Sequence, residues 1–173
     1  MDSTTFAALA LSCAPAVHLE TAKAIVAVES SFNPYAIGIV GGVLERQPRH
    51  LAEAIATARS LQADGRNFSV GLGQINISHF KRLGLTTRTS FDPCTNLGAL
   101  QRVLAECFGR ALSRNVTDSQ PQRRLRRALS CYYSGSFLTG FQHGYVRKVM
   151  SAAAGIPREA AKPASNDSPK EKT

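Results

Sequence analysis

The feature that most constrains this chain is the helical spacing of its apolar residues between glycine and proline breaks. In segment 17–31, Ala22, Ile25 and Glu29 fall on one helical face, and neither glycine nor proline interrupts it. Pro34 then ends the helix, because the residue before a proline is forced out of the α region. The same pattern predicts further helices at 50–63, 78–83, 92–108, 119–135 and 145–154. We therefore expect a mainly helical chain.

Two glycine-containing segments interrupt the helical pattern. Residues 37–48 suit a short hairpin or loop, with Gly41-Gly42 as the turn. Residues 68–77 begin like a strand, but their two glycines predict a loop with close backbone approaches. The sequence therefore predicts one domain over 1–157, a helical body with a small β-hairpin, followed by a disordered polar tail over 158–173.

The charge balance favours a polyanionic partner. The chain has 21 Lys and Arg against 12 Asp and Glu, a formal net charge of +9, which suits nucleic acid, an anionic membrane or a cell-wall polymer. Four arginines crowd the segment 123–127, either as a solvated helix face or as a surface for anionic polymers. No aromatic residues interleave with them, so nucleic-acid binding is not expected. No run is long enough for stable membrane insertion.

Four widely spaced cysteines lack the Cys-x-x-Cys spacing of a zinc or redox site. Two structural disulfides in an oxidising compartment and four buried reduced thiols both fit this pattern, and the pairing stays open. The four histidines show no metal-ligand spacing and suit surface or capping positions, so no metal and no cofactor are expected. No intact signal peptide is visible.

Glu29 is the candidate catalytic acid. A carboxylic acid stays protonated near neutral pH when it lies in an apolar, poorly solvated site. Glu29 ends a helix rich in Ala, Ile and Val, and Ser30 follows as a hydrogen-bond partner. The alternative is an ordinary solvated or capping glutamate. Asp92 is the nearest competing carboxylate, but its place before Pro93 is better explained as a helix cap.

Several short motifs, in this order and spacing, resemble the soluble lytic transglycosylase domain, a relative of goose-type lysozyme. They are ES at 29–30, NP at 33–34, GLGQIN at 71–76, NL at 96–97 and ALSCYYSG at 128–135. The resemblance covers most of the chain. The run CAP at 13–15 and residues 130–137 are most similar to the VirB-type branch, which serves type IV secretion or conjugation.

The resemblance implies a lysozyme-like fold and cleavage of peptidoglycan glycan strands.

In members of this family the glutamate of the Glu-Ser pair protonates the glycosidic oxygen between N-acetylmuramic acid and N-acetylglucosamine. The same carboxylate then deprotonates the muramoyl C6 hydroxyl, which closes on C1 as a 1,6-anhydro end, so one acid/base suffices. The resemblance assigns this role to Glu29. We also expect a monomer that is periplasmic or otherwise exported and that has type IV secretion components as partners.

The resemblance also assigns substrate-binding and supporting residues. Tyr132 would hydrogen-bond the Glu29 carboxyl, Gln74 would offer a donor and an acceptor to an acetamido group, and the others would line or support the cleft. The assigned residues are Ser30, Gln74, Asn76, Asn96, Tyr132 and Tyr145. From the residues alone, Tyr132 is a core aromatic on a helix, packing explains Tyr145 at least as well as contact with the cleft, and 71–76 suits an ordinary turn.

Two positions depart from the family pattern. Tyr133 stands where the family usually has Asn, and Gly73 stands where many members have Met. Neither change removes the acid, so both bear on substrate preference and rate more than on reaction type.

Three alternatives remain open at this point. The first is a muramidase that admits water, and only a transglycosylase yields anhydromuramic ends. The second is a catalytically weak wall-binding assembly factor, against which the joint presence of Glu29, Gln74 and Tyr132 argues. The third is a cytosolic nucleic-acid binder, which predicts reduced cysteines and salt-sensitive DNA binding.

Overall fold

The architecture follows from where prolines, glycines and capping side chains let each helix begin and end. The computed structural model describes residues 1–113 and 120–155, which form eight α-helices, two short 3-10 helices and one sheet. The α-helices are α1 Ser3–Cys13, α2 Leu19–Glu29, α3 Leu51–Ala63, α4 Phe80–Leu83, α5 Pro93–Ser113, α6 Pro121–Ser134, α7 Thr139–Gln142 and α8 Tyr145–Ala153. The strands are β1 Ile37–Ile39, β2 Phe68–Val70 and β3 Ile75–Asn76. The expected helical body with a small β-element is confirmed.

The 21-residue helix α5 is the scaffold on which α1 and α6 pack. Asp92 caps it: its Oδ1 accepts hydrogen bonds from the backbone N–H of Thr95 at 2.8 Å and from the Thr95 hydroxyl at 2.7 Å. Pro93 occupies the first helical position, where a missing N–H costs nothing. The prediction that Asp92 is a cap is confirmed, and the helix runs five residues beyond the expected 108.

Helix α2 ends at Glu29 because the backbone reverses directly afterwards. Ser31 and Phe32 have φ of 50° and 62°, in the left-handed region that few side chains adopt. At the other end, the Nδ1 of His18 accepts a hydrogen bond from the N–H of Glu20 at 3.3 Å, as an N-cap. The helix is therefore shorter than the expected 17–31, and it packs against α8.

The sheet is antiparallel, in the order β1-β2-β3. Of the hairpin and the loop expected as alternatives over 37–48, the structure favours the loop, because β1 pairs with β2 and the turn at Gly41 is closed by an isolated bridge from Ile39 to Gly42. The loop expected over 68–77 is wrong for β2 and β3, but the close approaches expected at its glycines are present. Gly71 and Gly73 lie in the turn between β2 and β3, which leaves the residues on either side free to pair.

Two disulfides tie the helices together. Cys13–Cys94 joins α1 to α5 and Cys107–Cys131 joins α5 to α6, with Cα atoms 5.2 and 5.7 Å apart. All four cysteines of the chain are paired, so the sequence alternative of reduced thiols is set aside.

The basic segment of α6 packs on aromatic rings. The guanidinium carbon of Arg124 lies 5.4 Å from the Phe108 ring centroid, and that of Arg127 lies 5.3 Å from the Phe137 ring centroid. These arginines therefore contribute cation–π contacts with α5 and with the segment after α6, beyond forming a solvated face.

Helices α1 and α7 were not expected from the sequence. Asp2 begins α1 by accepting a hydrogen bond from the N–H of Thr5, and Phe6 and Ala10 bury one face of it. The tail over 158–173 and the domain boundary at 157 lie outside the described residues. Within the described part of the chain, no helix combines the length and the apolar character that crossing a membrane requires.

Candidate active site

An open groove of about 730 Å³ runs between the sheet and the facing parts of α5 and α6. Glu29 lines it, together with strand and turn residues on one side and the end of α6 on the other. Because it is an open groove and not an enclosed cavity, it can accept part of an extended polymer.

Glu29, the last residue of α2, combines partial burial with a single hydrogen-bond donor. The hydroxyl of Tyr145 donates to its Oε1 at 2.6 Å. Burial raises the pKa of Glu29 from 4.5 to about 7, because the charged form is poorly solvated, while the Tyr145 hydrogen bond acts in the opposite direction. The carbonyl end of a helix also disfavours a negative charge. The carboxyl group can therefore both donate and accept a proton near neutral pH.

Tyr145 reaches Glu29 from the first position of α8. Gly144 precedes it in the left-handed conformation, with φ of 70°, and the Tyr145 side chain is only 5% exposed. The sequence had left core packing and contact with the cleft as equal alternatives for this residue. Tyr145 does both, since it is buried between helices and bonds the acid.

Tyr132 has a different partner from the one expected. Its hydroxyl donates to the carbonyl of Gly73 at 2.5 Å, and the expected hydrogen bond to Glu29 is instead made by Tyr145. The prediction chose the wrong tyrosine because both tyrosines approach the same carboxyl group. Burial and the nearby charge of Glu29 both raise the pKa of Tyr132 well above 10.

The turn between β2 and β3 is built around two glycines. Gly71 has φ of 77°, and a Cβ there would lie 2.2 Å from Nδ2 of Asn96. At Gly73, a Cβ would lie 2.9 Å from the Tyr132 hydroxyl and 3.0 Å from Cδ1 of Leu100. The side chain that many family members carry at this position therefore has no room here.

Gln74 lines the groove, but its amide donor is already used. Its Nε2 donates to the carbonyls of Ala36 and Gly71, both at 3.0 Å. The prediction that the Gln74 side chain offers both a donor and an acceptor to a ligand is therefore wrong for the donor. Its acceptor, Oε1, lies next to Gly38 and is the atom still available to a ligand. Gln74 also has φ of 48°, a left-handed conformation in the turn.

Asn96 is fully buried and does not line the groove, which fits the supporting role expected from the resemblance and not direct contact with a ligand. Its Oδ1 accepts from the N–H of Gly73 at 2.8 Å, and its Nδ2 donates to the carbonyls of Val70 and Ser90 at 3.0 and 2.8 Å. Asn96 therefore supports the groove from beneath, by holding both ends of the glycine turn.

Ser30 and Asn76 differ in their access to the groove. Ser30 does not line it, and its hydroxyl donates to the carbonyl of Val26 at 3.2 Å. Asn76 does line it, and its Nδ2 donates to Oδ1 of Asn67 at 2.8 Å and to the hydroxyl of Ser69 at 3.2 Å. Of the two residues, Asn76 is therefore the one that a ligand in the groove can touch.

The sequence analysis missed groove residues that have no motif of their own. Tyr133 and His143 line the groove near Glu29, and His79, Arg82 and Glu106 line another part of it. The only sequence signal was that Tyr133 departs from the family pattern. His18 and His50 are helix caps as expected, whereas His79 and His143 border the groove.

The chain is similar to characterised sequences. The family model for the transglycosylase SLT domain matches residues 6–152. The "Type IV secretion system protein virB1" of Brucella abortus is 48% identical over 153 residues, covering 86% of this chain and 63% of its own length. "Protein virB1" of Rhizobium radiobacter is 36% identical over 170 residues, covering 96% of this chain and 68% of its own length.

The chain thus spans somewhat less than two thirds of the length of the Brucella relatives. No solved structure gave a significant match. The family model covers most of the chain and includes Glu29, the glycine turn and α6. The chain therefore belongs to the transglycosylase SLT domain family, and within it to the branch that contains the VirB1 proteins.

Proposed function

We propose that this chain is a peptidoglycan lytic transglycosylase with Glu29 as its acid and base. The observation that carries the proposal is a partly buried carboxyl group, with its pKa raised to about 7, lining an open groove and held by Tyr145. The substrate is the glycan strand of the bacterial cell wall, cut at the β-1,4 bond between N-acetylmuramic acid and N-acetylglucosamine.

In the first step, protonated Glu29 gives its proton to the glycosidic oxygen. The bond from that oxygen to C1 of the muramoyl sugar breaks, and the N-acetylglucosamine side leaves with a free hydroxyl. Positive charge develops at C1, next to the carboxylate that Glu29 has become. Tyr145 stabilises this carboxylate by the hydrogen bond to its Oε1.

In the second step, the Glu29 carboxylate takes the proton of the muramoyl C6 hydroxyl. That oxygen bonds to C1 and closes the 1,6-anhydro ring, and Glu29 ends protonated as it began. Water does not enter the reaction, so a second carboxylate to activate it is not needed.

The other nearby carboxylates support this use of a single acid/base. Within the described residues, Glu106 also lines the groove, but its Oε1 accepts a hydrogen bond from Arg82 at 2.5 Å. Asp92, the competitor in the sequence, caps α5 and lies outside the groove lining. Among the carboxyl groups of the described residues, Glu29 alone combines access to the groove with a raised pKa.

The relatives suggest where the enzyme acts. The Brucella protein is named as part of a type IV secretion system, and two disulfides suit an oxidising compartment. We propose that this chain acts in the periplasm, where it opens the cell wall for a type IV secretion or conjugation apparatus whose components are its partners.

Digestion of purified peptidoglycan, with mass analysis of the released muropeptides, tests the proposal. Wild type should release products with anhydromuramic ends, Glu29→Gln should release none, and Glu106→Gln should act like wild type as the matched control. Reducing ends instead of anhydro ends would make the enzyme a muramidase that uses water. No product from folded wild type would favour a wall-binding assembly factor.

A further inference from the structure

Tyr133 covers the tyrosine that holds the acid. Its ring is stacked on the Tyr145 ring, with centroids 4.6 Å apart and planes inclined by 19°. Tyr133 is 44% exposed and lines the groove, whereas Tyr145 is 5% exposed. Because the two rings are parallel and in contact, the exposed ring shields the buried one from the groove.

The hydroxyl of Tyr133 is anchored on the segment that leads into α8. It lies 3.3 Å from Nδ1 of His143, and the two rings meet edge to face at 5.9 Å and 81°. His143 stands two residues before Tyr145. Tyr133, near the end of α6, is thus held at the same turn that places Tyr145.

The start of α8, where Tyr145 lies, has no side-chain cap. The N-cap residue is Gly144, which has no side chain to cap the helix. The Tyr145 hydroxyl reaches Glu29 at 2.6 Å, and a small change in the ring angle at this helix start would lengthen that hydrogen bond. Stacking on Tyr133 opposes such a change.

We propose that Tyr133 is a positioning residue for Glu29, which acts by holding the Tyr145 ring in the orientation that bonds the acid. The proposal rests on the proposed function of Glu29 as acid and base. Tyr133 is not itself a catalytic residue in this scheme, because its effect reaches Glu29 through Tyr145.

Loss of the Tyr133 ring should therefore alter the proton affinity of Glu29. The Tyr145 hydrogen bond lowers the pKa of Glu29, so a weaker bond raises it. The neighbouring groups on α6 and α8 are Tyr132, whose pKa is itself raised by the charge of Glu29, and Tyr145. The other titratable or charged residues that line the groove are His79, Arg82, Glu106, Arg110 and His143.

The experiment compares three variants on soluble glycan strands. Tyr133→Ala should lower kcat about tenfold and change KM less than about twofold. A misplaced acid reduces the stabilisation of the transition state more than it reduces the affinity for substrate. Tyr133→Phe keeps the stacked ring and should stay within about twofold of wild type. Phe141→Ala removes a ring that is equally exposed, at 45%, but outside the groove lining, and should behave like wild type.

A second measurement does not depend on turnover. The pKa of Glu29, followed by the carbon NMR signal of its carboxyl group, should rise in Tyr133→Ala and stay unchanged in Tyr133→Phe and Phe141→Ala. An unchanged Glu29 titration in folded Tyr133→Ala, or a loss confined to KM, would overturn the positioning role. A wild type without anhydro products would overturn the proposed function instead, and the titration would still decide the role of Tyr133.

Discussion

The hydroxyl of Tyr145 donates a hydrogen bond to Oε1 of Glu29 at 2.6 Å, across 116 positions of the chain. Tyr132, which also approaches the carboxyl group, donates instead to the carbonyl of Gly73. The two tyrosines therefore have separate tasks: one holds the acid, and the other holds the glycine turn that forms part of the groove.

This division predicts different consequences for the two Phe variants. In Tyr145→Phe the carboxylate loses its donor, so the pKa of Glu29 should rise above about 7 and the alkaline limb of the pH–rate profile should move upward. A hydrogen bond to a charged group is worth about 1.5 to 3 kcal/mol, so kcat should fall at least about tenfold. Tyr132→Phe should leave the alkaline limb in place and lower the unfolding temperature. An equal pH shift in both variants would contradict the division.

The raised pKa of Glu29 predicts a stability cost that depends on pH. Between pH 4.5 and about 7 the native protein keeps a proton that the unfolded chain releases. The stability that Glu29 contributes is therefore complete below 4.5 and is lost as the pH rises through about 7. The free energy of unfolding of Glu29→Gln, measured with urea, should equal that of wild type near pH 4 and exceed it by about 1 to 3 kcal/mol near pH 8. Glu106→Gln is the control, and a gain there of the same size would show a general charge effect.

Alanine substitutions at Gly71 and Gly41 should distinguish the effect of a close side-chain contact on stability from the effect of a left-handed backbone. Both have similar φ, 77° and 72°, but a Cβ at Gly71 would collide with buried Asn96, whereas a Cβ at Gly41 would have no atom within 4 Å. Gly41→Ala should cost about 1 kcal/mol. Gly71→Ala should cost about 2 to 4 kcal/mol more, because Asn96 must give up buried hydrogen bonds. Equal unfolding free energies for the two variants would rule out the Asn96 contact as a source of stability.

One disulfide should matter more for stability and the other more for activity. Cys13–Cys94 closes a separation of 81 residues and Cys107–Cys131 one of 24, so chain entropy predicts that the first stabilises by about 1 kcal/mol more. Only the second lines the groove, beside Tyr132. The double Ser variant at Cys107 and Cys131 should therefore lose more activity but less stability than the one at Cys13 and Cys94. Activity losses that merely follow the loss of stability would contradict this.

The sequence predicted the helices well where local signals set their ends. Asp92 before Pro93 marked the start of α5, and Pro34 marked the reversal after α2, because capping and proline geometry act within a few residues. A small β-element was predicted but its strand pairing was not, since β1 finds its partner in β2 beyond the whole of α3. Pairing at that distance depends on tertiary packing, which local patterns do not record.

The candidate acid was predictable, but the geometry around it was not. Glu29 stood out through its apolar helix and the family motifs. The resemblance placed Tyr132 against it because Tyr132 lies in a motif, whereas the actual donor, Tyr145, lies in none. Asn96 also lies in a motif, but its role in the structure is to hydrogen-bond the buried backbone groups around the glycine turn.

The pairing of α2 with α8 also makes completion of the site depend on the docking of one helix. Glu29 lies at the end of α2, but the helix that packs on α2 and supplies the Tyr145 hydroxyl is the last one in the described part of the chain. A partly folded molecule in which α8 has not docked therefore has the carboxyl group without the donor that holds it. Any change that loosens the packing of α8 on α2 should reach Glu29 directly, although the two helices are far apart in the sequence.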